Sequence, residues 1–146
     1  MNTKIYLKID GIDGKCTVQN FDNFFEIIEY QIGVHQSDLF KCRGTGGGAP
    51  TTRAAFKDLL VIKKIDSASP ELTLTCANGT FIQKINLIII ADSNFRYEYI
   101  LQDCIITSVD NVFRAENISD FPKEKIRFNY GSIEWIYNES TRSDLT

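Results

Sequence analysis

The chain has 146 residues, of which 43% are hydrophobic and 24% charged, with a net charge of -3 and a pI near 5.2. This length fits one globular domain, and we expect residues 1–146 to form it. Nucleic-acid-binding proteins draw most of their affinity from a basic surface, whereas lysines and arginines are scattered among acids here. Nucleic acid is therefore not an expected partner.

Membrane insertion is not predicted either. The longest apolar stretch, residues 85–91, is far shorter than the ~20 residues that span a bilayer. No apolar run of signal-peptide length follows the first residues. The sequence thus predicts a protein made in the cytoplasm, whose export would need a route that reads no cleaved signal.

The cysteines are widely spaced and contain no Cys-x-x-Cys pair. Cys16, Cys42, Cys76 and Cys104 are predicted to be reduced and mostly buried thiols. His35 is the only histidine, whereas structural zinc sites usually bring paired ligands. We therefore predict no metal and no cofactor.

Apolar and polar residues alternate with a period of two along much of the chain, which predicts strands with two different faces. The predicted strands cover residues 4–9, 26–34, 55–65, 82–91, 97–107 and 125–137. Gly11 and Gly14 mark a turn after the first of them.

One short helix is predicted over about residues 70–78. Ser69 suits the N-cap, Pro70 the first helical position and Glu71 the positive end of the helix dipole. Asn78 and Gly79 are residues that commonly end a helix. Many strands with one helix predict a mainly β protein, either a small barrel or a sandwich.

Catalytic motifs are not found. The glycine-rich residues 44–48 lack the Gly-Lys-Ser or Gly-Lys-Thr and the following helix of a phosphate-binding loop. His35, the only imidazole that could act as a base, lies at the predicted end of a strand, and there is no Gly-x-Ser-x-Gly elbow. The acidic residues show no spacing that selects a catalytic pair, so no catalytic residue and no enzyme activity are predicted.

Several segments, taken in order, resemble the Hcp family of type VI secretion tube proteins. Residues 6–14, YLKIDGIDG, resemble the family's first strand and turn, and residues 25–34 its next long strand. The most specific match is KKIDSASPEL at residues 63–72, followed by CANG at residues 76–79, which resembles the strand-to-helix junction. Residues 97–109 and 126–137 resemble the last strands, and residues 44–48 lie where the family has a glycine-rich loop.

The resemblance also has departures. Residues 20–24, NFDNF, stand where the family often has a Gly-His-Glu-like turn, and Phe113 and Arg114 replace the usual small residues. Four cysteines are more than the family pattern leads us to expect. These differences bear on the contacts within and between rings.

The resemblance implies a compact β-barrel of two sheets with the short helix on its side. It implies a structural function, in which hexameric rings stack into a hollow tube that a contractile sheath ejects and whose lumen carries effectors. The implied partners are copies of the chain itself, a spike protein of the VgrG type, sheath and baseplate components, and effector proteins. The implied location is the cytoplasm during assembly, then the extracellular space or target cell, without a cleaved signal peptide.

Three sets of residues are expected to carry this function. By resemblance, Glu29, Gln31 and Gly33 line the lumen and contact cargo, although Gln31 could equally be a solvated strand residue. Ile88 and Ile90 lie on a second apolar face of their strand and are candidates for subunit contact, with helix packing or coverage within the monomer as the alternatives. The ring-to-ring contact is assigned to a flexible loop that would order on binding, comprising Phe40, Arg43, Gly44, Gly46, Gly47, Gly48 and Arg53.

The alternative from another class is a small-molecule-binding β-barrel carrier. Such a carrier needs an interior that small residues leave empty, whereas the predicted strands carry large side chains.

Overall fold

The computed structural model describes residues 2–36, 54–92, 94–111, 113–115, 120–138 and 140–144, the last of these as backbone. The helix is α1 (Ser69–Asn78). The strands are β1 (Thr3–Ile9), β2 (Phe25–Ile27), β3 (Glu29–Gln31), β4 (Val34–Gln36), β5 (Ala54–Phe56), β6 (Leu59–Lys64), β7 (Phe81–Ala91), β8 (Phe95–Asn111), β9 (Lys123–Asn129), β10 (Ser132–Tyr137) and β11 (Ser140–Asp144). Among the described residues, no helix is both long and apolar enough to cross a membrane.

The strands of the described residues form two antiparallel sheets. The large one has nine strands in the order β2-β1-β7-β8-β9-β6-β3, with β10 paired to both β8 and β11, and the small one pairs β4 with β5. Only Ile28 separates β2 from β3 in the chain, and its N–H donates to the carbonyl of Ile62 at 2.8 Å. The expected mainly β fold with two sheets and one helix is confirmed. Within the described residues, however, the edge strands β2 and β3 are not paired with each other, so the large sheet is not a closed barrel.

Three of the strands predicted as continuous are divided. Residues 26–34 contribute to β2, β3 and β4, because the segment leaves β1 and joins β6 at Ile28. Lys57 and Asp58 separate β5 from β6, and Tyr130 and Gly131 separate β9 from β10. The core-facing positions also change phase at these breaks: Phe25 and Ile27 face the core before Ile28, whereas Tyr30 and Ile32 do so after it. A pattern read as one continuous alternation therefore does not locate the change of partner.

A single cluster of buried apolar side chains joins most strands of the large sheet and the helix. Leu7 of β1, Leu87 of β7 and Leu72 of α1 are each 0% exposed within this cluster. Fully burying a leucine side chain contributes roughly 1.5–3 kcal/mol to folding. Because strand side chains alternate, the residues between these core positions lie on the opposite, outer face of the sheet.

The start of α1 differs from its prediction. Ala68 occupies the N-cap without a side-chain cap, and Ser69 is the first helical residue. The hydroxyl of Ser69 is buried, accepts the Asp66 N–H at 2.9 Å and donates to Glu124 Oε2 at 2.5 Å. Ser69 therefore ties the helix to β9 instead of capping it. Gly79 ends the helix with a left-handed φ of 63°, as predicted.

The loop that follows β1 folds back over the outer face of that strand. The ring of Phe21 stacks on that of Tyr6, with centroids 4.0 Å apart and an angle of 12°. Phe24 meets Phe21 edge-on at 5.2 Å, and the ammonium of Lys8 lies 5.6 Å from the Phe24 ring. The segment that departs from the family pattern thus forms an aromatic cover on β1.

Candidate interaction surfaces

In the described part of the chain, His35 has no side-chain partner for catalysis. His35 is exposed on β4, and among the described residues it has no hydrogen bond or ion pair with another side chain. Within the same part of the chain, no group of three or more histidine, cysteine or acidic residues could hold a metal ion. The structure therefore adds no positive support for catalysis or metal binding.

The described thiols are free but unequal in exposure. Cys104 is buried, and this burial, with a smaller effect of the adjacent Asp103, raises its pKa to about 12. Cys16 and Cys76 are half-buried. Among the described thiols, which were expected to be mostly buried, only Cys104 is fully buried. Cys42 lies outside the described residues.

Four isoleucines form a patch on the outer face of the large sheet, which we name the outer apolar face: Ile88, Ile90, Ile100 and Ile136. β8 lies between β7 and β10 and brings them together, because Glu98 pairs with Ile88 on one side and Ile136 on the other. Ile90, Ile100 and Ile136 are half-buried, whereas Ile88 is 4% exposed.

One carboxylate lies within the outer apolar face. The amide of Asn86 donates to Glu98 Oε2 at 2.8 Å, and the guanidinium of Arg96 lies 3.5 Å from Oε1. The side chain of Glu98 is only 14% exposed. An uncompensated charge is costly to bury, but here both carboxylate oxygens already have a partner on the same face. This face can therefore lose water without leaving that carboxylate unpaired.

The structure distinguishes the two isoleucines predicted from the sequence. Helix α1 packs through Leu72 into the core, so the alternative that Ile88 and Ile90 pack against the helix is wrong. Ile88 is covered within the monomer, where Tyr6 is its direct neighbour on β1. Ile90 keeps exposed area, and its role in subunit contact stays a prediction.

Ile100 and Ile136 were not identified from the sequence. Each alternates with core residues in its strand, so the outward-facing isoleucines were readable from the pattern. The sequence pattern did not show that these isoleucines meet on one face, because that depends on β8 lying between β7 and β10.

A second surface is a groove of about 790 Å³, which we name the polar groove. Gln31 on β3 pairs with Leu60 on β6, which in turn pairs with Arg127 on β9. The lining residues are Tyr30, Gln31, Ile32, Gly33, Lys57, Asp58, Leu60, Tyr99 and Arg127. Two of the three residues predicted to contact cargo, Gln31 and Gly33, thus line one groove.

Glu29, the third residue predicted to contact cargo, shares a strand face with Gln31 but does not line the polar groove. It pairs instead with Ile62, whose next neighbour across the sheet is Lys125. Glu29 therefore lies one row away from the groove.

Hydrogen bonds fix the positions of Lys57 and Asp58 in the lining of the polar groove. The amide of Asn129 donates to Asp58 Oδ1 at 3.0 Å, and the hydroxyl of Thr107 donates to Oδ2 at 3.2 Å. Tyr130 donates its hydroxyl to the carbonyl of Lys57 at 2.8 Å. Burial, followed by the nearby charge of Asp58, raises the pKa of Tyr130 to about 12. These bonds hold the segment between β5 and β6.

The Lys57 segment lies beside Gly33. The Lys57 N–H donates to the carbonyl of Gly33 at 2.8 Å, and a Cβ added at Gly33 would lie 3.7 Å from Cδ of Lys57. The aliphatic part of Lys57 therefore runs beside the strand end.

The predicted ring-to-ring residues, Phe40, Arg43, Gly44, Gly46, Gly47, Gly48 and Arg53, lie outside the described residues.

Comparison with known proteins decides the family. A sequence model described as "Type VI secretion system effector, Hcp" matches residues 6–137, which is most of the chain. The chain belongs to the Hcp family. This family is a component of the type VI secretion system, and secretion fits its members.

Solved structures of Hcp proteins share the fold. Hcp1 from Salmonella typhimurium is 24% identical with a TM-score of 0.78, over 98% of this chain and 93% of that one. A type VI secretion system effector from Yersinia pestis is 23% identical with a TM-score of 0.75, over 96% of each chain. The secreted protein Hcp3 from Pseudomonas aeruginosa is 16% identical with a TM-score of 0.69, over 98% of this chain and 97% of that one. No curated protein sequence matches this chain.

Proposed function

We propose that this Hcp-family chain is the tube subunit of a type VI secretion system and is a structural protein, not an enzyme. Residues 1–146 form one domain, six copies close into a ring, and rings stack into a hollow tube. A contractile sheath ejects the tube, whose lumen carries effector proteins. The subunit is made in the cytoplasm and leaves the cell without a cleaved signal peptide. Its partners are its own copies, a VgrG-type spike, sheath and baseplate components, and effectors.

The observation that carries this proposal is the outer apolar face. A closed ring is a head-to-tail assembly, so each subunit needs a surface ready to be covered by a different surface of its neighbour. Ile90, Ile100 and Ile136 leave apolar area uncovered on the monomer. Glu98, in their midst, already accepts a hydrogen bond from Asn86 and forms an ion pair with Arg96. Covering this face removes apolar area from water at about 25 cal/mol per Å² and strands no charge there.

The ring contact can be tested by the triple substitution Ile90→Thr, Ile100→Thr and Ile136→Thr. Threonine is also β-branched and suits strands, so the change removes apolar area with little change in backbone preference. Val34→Thr is the matched control, because Val34 is 51% exposed and lies on β4, away from this face.

We expect the unmodified chain and Val34→Thr to give particles near six times the 16.6 kDa subunit mass in light scattering, and rings in negative-stain microscopy. The triple variant should be monomeric while keeping its circular dichroism spectrum and a cooperative thermal transition. Rings formed equally well by a folded triple variant would remove this face from the proposal. A chain that stays monomeric at high concentration and in material from secreting cells would refute the tube function.

The proposed cargo contact is tested at Gln31. Gln31→Glu places a charge in the polar groove and should reduce co-purification of an effector, whereas Glu29→Gln, outside that groove, should change it less. Unchanged recovery of effector with Gln31→Glu would count against Gln31 as a cargo contact.

The proposed ring-to-ring contact is tested by deleting residues 44–48. We expect hexamers to remain and stacked tubes to be lost, because rings and stacks use different surfaces. Intact tubes from the deletion variant would refute the role of this loop.

A further inference from the structure

We propose that the polar groove binds an acidic peptide segment, whose carboxylates are recognised by Lys57 and Arg127. Naming cargo proteins as the source of that segment rests on the proposed function, but the binding chemistry does not.

The charges of the groove are unbalanced in favour of cations. Its charged lining residues are Lys57, Arg127 and Asp58. Both carboxylate oxygens of Asp58 accept internal hydrogen bonds, from Asn129 and Thr107. Lys57 and Arg127 are exposed, and neither has an acidic partner within ion-pair distance among the described residues. The described lining therefore carries two cations against one carboxylate, and neither cation is held in an ion pair within it.

Arg127 lies in a row of the sheet that contains no acid. Across β3, β6, β9 and β8, the row of Gln31, Leu60, Arg127 and Ser108 contains one cation and no acid. The next row contains Glu29, Ile62, Lys125 and Asp110, in which Asp110 lies opposite Lys125 in the strand register. An acid on the neighbouring strand thus makes the surroundings of Lys125 less favourable to an anionic ligand than those of Arg127, although both are exposed on the same face.

The rest of the groove suits a peptide better than a small ion. Its volume of about 790 Å³ is within the range of sites that enclose organic ligands. Ile32 is half-buried and offers an apolar contact, and the rings of Tyr30 and Tyr99 lie 5.8 Å apart at its lining. The amide of Gln31 can donate to and accept from a peptide backbone. A segment that mixes acidic and apolar side chains therefore fits this lining.

The experiment uses fluorescence anisotropy of two short labelled peptides that differ only in charge. One repeats glutamate, leucine and glycine, and the other repeats glutamine, leucine and glycine. We expect the acidic peptide to bind more tightly to the full-length protein, and its affinity to fall as salt screens the ion pairs. The double substitution Lys57→Gln and Arg127→Gln should weaken acidic-peptide binding about tenfold, because it removes two exposed ion pairs.

Lys125→Gln and Lys84→Gln together form the matched control. They remove the same number of positive charges from exposed positions outside the groove lining, and we expect little change in affinity. An equal loss in this control, or equal binding of the two peptides, would overturn the proposal. A short single-stranded oligonucleotide that bound through Lys57 and Arg127 as tightly as the acidic peptide would also overturn it.

Light scattering on the same samples separates this proposal from the tube function. Selective acidic-peptide binding by a chain that never forms rings would support the groove and refute the tube. Ring formation without selective peptide binding would support the tube function and refute binding of an acidic peptide in the polar groove.

Discussion

The ammonium of Lys63 lies 2.6 Å from Glu124 Oε2, and both side chains are about 1% exposed. Lys63 also contacts Asp66 Oδ2 and the carbonyl of Lys64, each at 3.0 Å, so its three donors are used. Glu124 accepts from Ser69 as well, which links β6, β9 and the start of α1. The most family-specific segment of the sequence thus builds a buried charged junction beneath the helix.

Removing one charge of this junction should lower the stability of the fold. Lys63→Met leaves the Glu124 carboxylate buried without its counter-ion, and we expect the free energy of unfolding to fall by about 3–5 kcal/mol. Urea denaturation followed by circular dichroism measures the change. The double substitution Lys63→Met and Glu124→Leu removes both charges and should recover most of the loss.

Lys123→Met provides the control. The ammonium of Lys123 lies 3.2 Å from Asp120 Oδ1, but the two side chains are 39% and 41% exposed. We expect that substitution to change stability by no more than about 1 kcal/mol. A loss of similar size from Lys63→Met would show that the buried pair contributes no more than an exposed one.

Gly14 is required by packing against the Phe24 backbone. A Cβ at Gly14 would lie only 2.2 Å from the carbonyl oxygen of Phe24. Gly14→Ala should therefore displace the loop that covers β1 and lower the free energy of unfolding by about 1–3 kcal/mol. Gly33→Ala is the matched control, since its Cβ would meet only Lys57 Cδ at 3.7 Å. Equal stability of the two variants in urea denaturation would contradict this account.

The thiols should differ in reactivity. The thiolate is the reactive form, and burial raises the pKa of Cys104 to about 12. We expect iodoacetamide at pH 8 to modify Cys16 and Cys76 in the folded protein while Cys104 reacts only after denaturation, as read by peptide mass spectrometry. Alkylation of native Cys104 at the rate of Cys16 would show that its surroundings are open to solvent.

Tyr130 should make the protein less stable in alkali. Its pKa is raised from 10.0 to about 12 by burial, so between these pH values the unfolded chain loses this proton while the folded chain keeps it. The unfolded state then binds fewer protons, and stability falls as pH rises from about 10 to 12. Tyr130→Phe removes this contribution and should flatten the decline measured by urea denaturation across that range.

The same substitution should cost about 1 kcal/mol at pH 7, because it deletes the hydrogen bond to the carbonyl of Lys57. An unchanged alkaline slope in Tyr130→Phe would assign the decline to other groups.

Much of the local structure was predictable. The helix predicted over residues 70–78 is Ser69–Asn78, and the strand predicted over 82–91 is Phe81–Ala91. Proline and glycine mark the ends of such a helix, and alternation marks a strand, through the geometry of a few neighbouring residues. The role of Ser69 was mistaken because its hydroxyl bonds to Glu124, 55 residues away.

The candidate surfaces were only partly predictable. Gln31 and Gly33 were identified from one segment, but Lys57 and Arg127 join them from strands that pairing brings together. Ile90 was identified, whereas Ile100 and Ile136 become its neighbours only once β8 lies between β7 and β10.

By itself, the sequence determined the β-rich class, the helix, the family resemblance and the alternation of side chains within single strands, because these depend on local geometry and residue order. Tertiary structure decided which outward side chains meet, which of them the monomer covers and which charges are left without a partner. Those properties follow from strand order and from contacts between residues distant in the chain, and no local pattern encodes them.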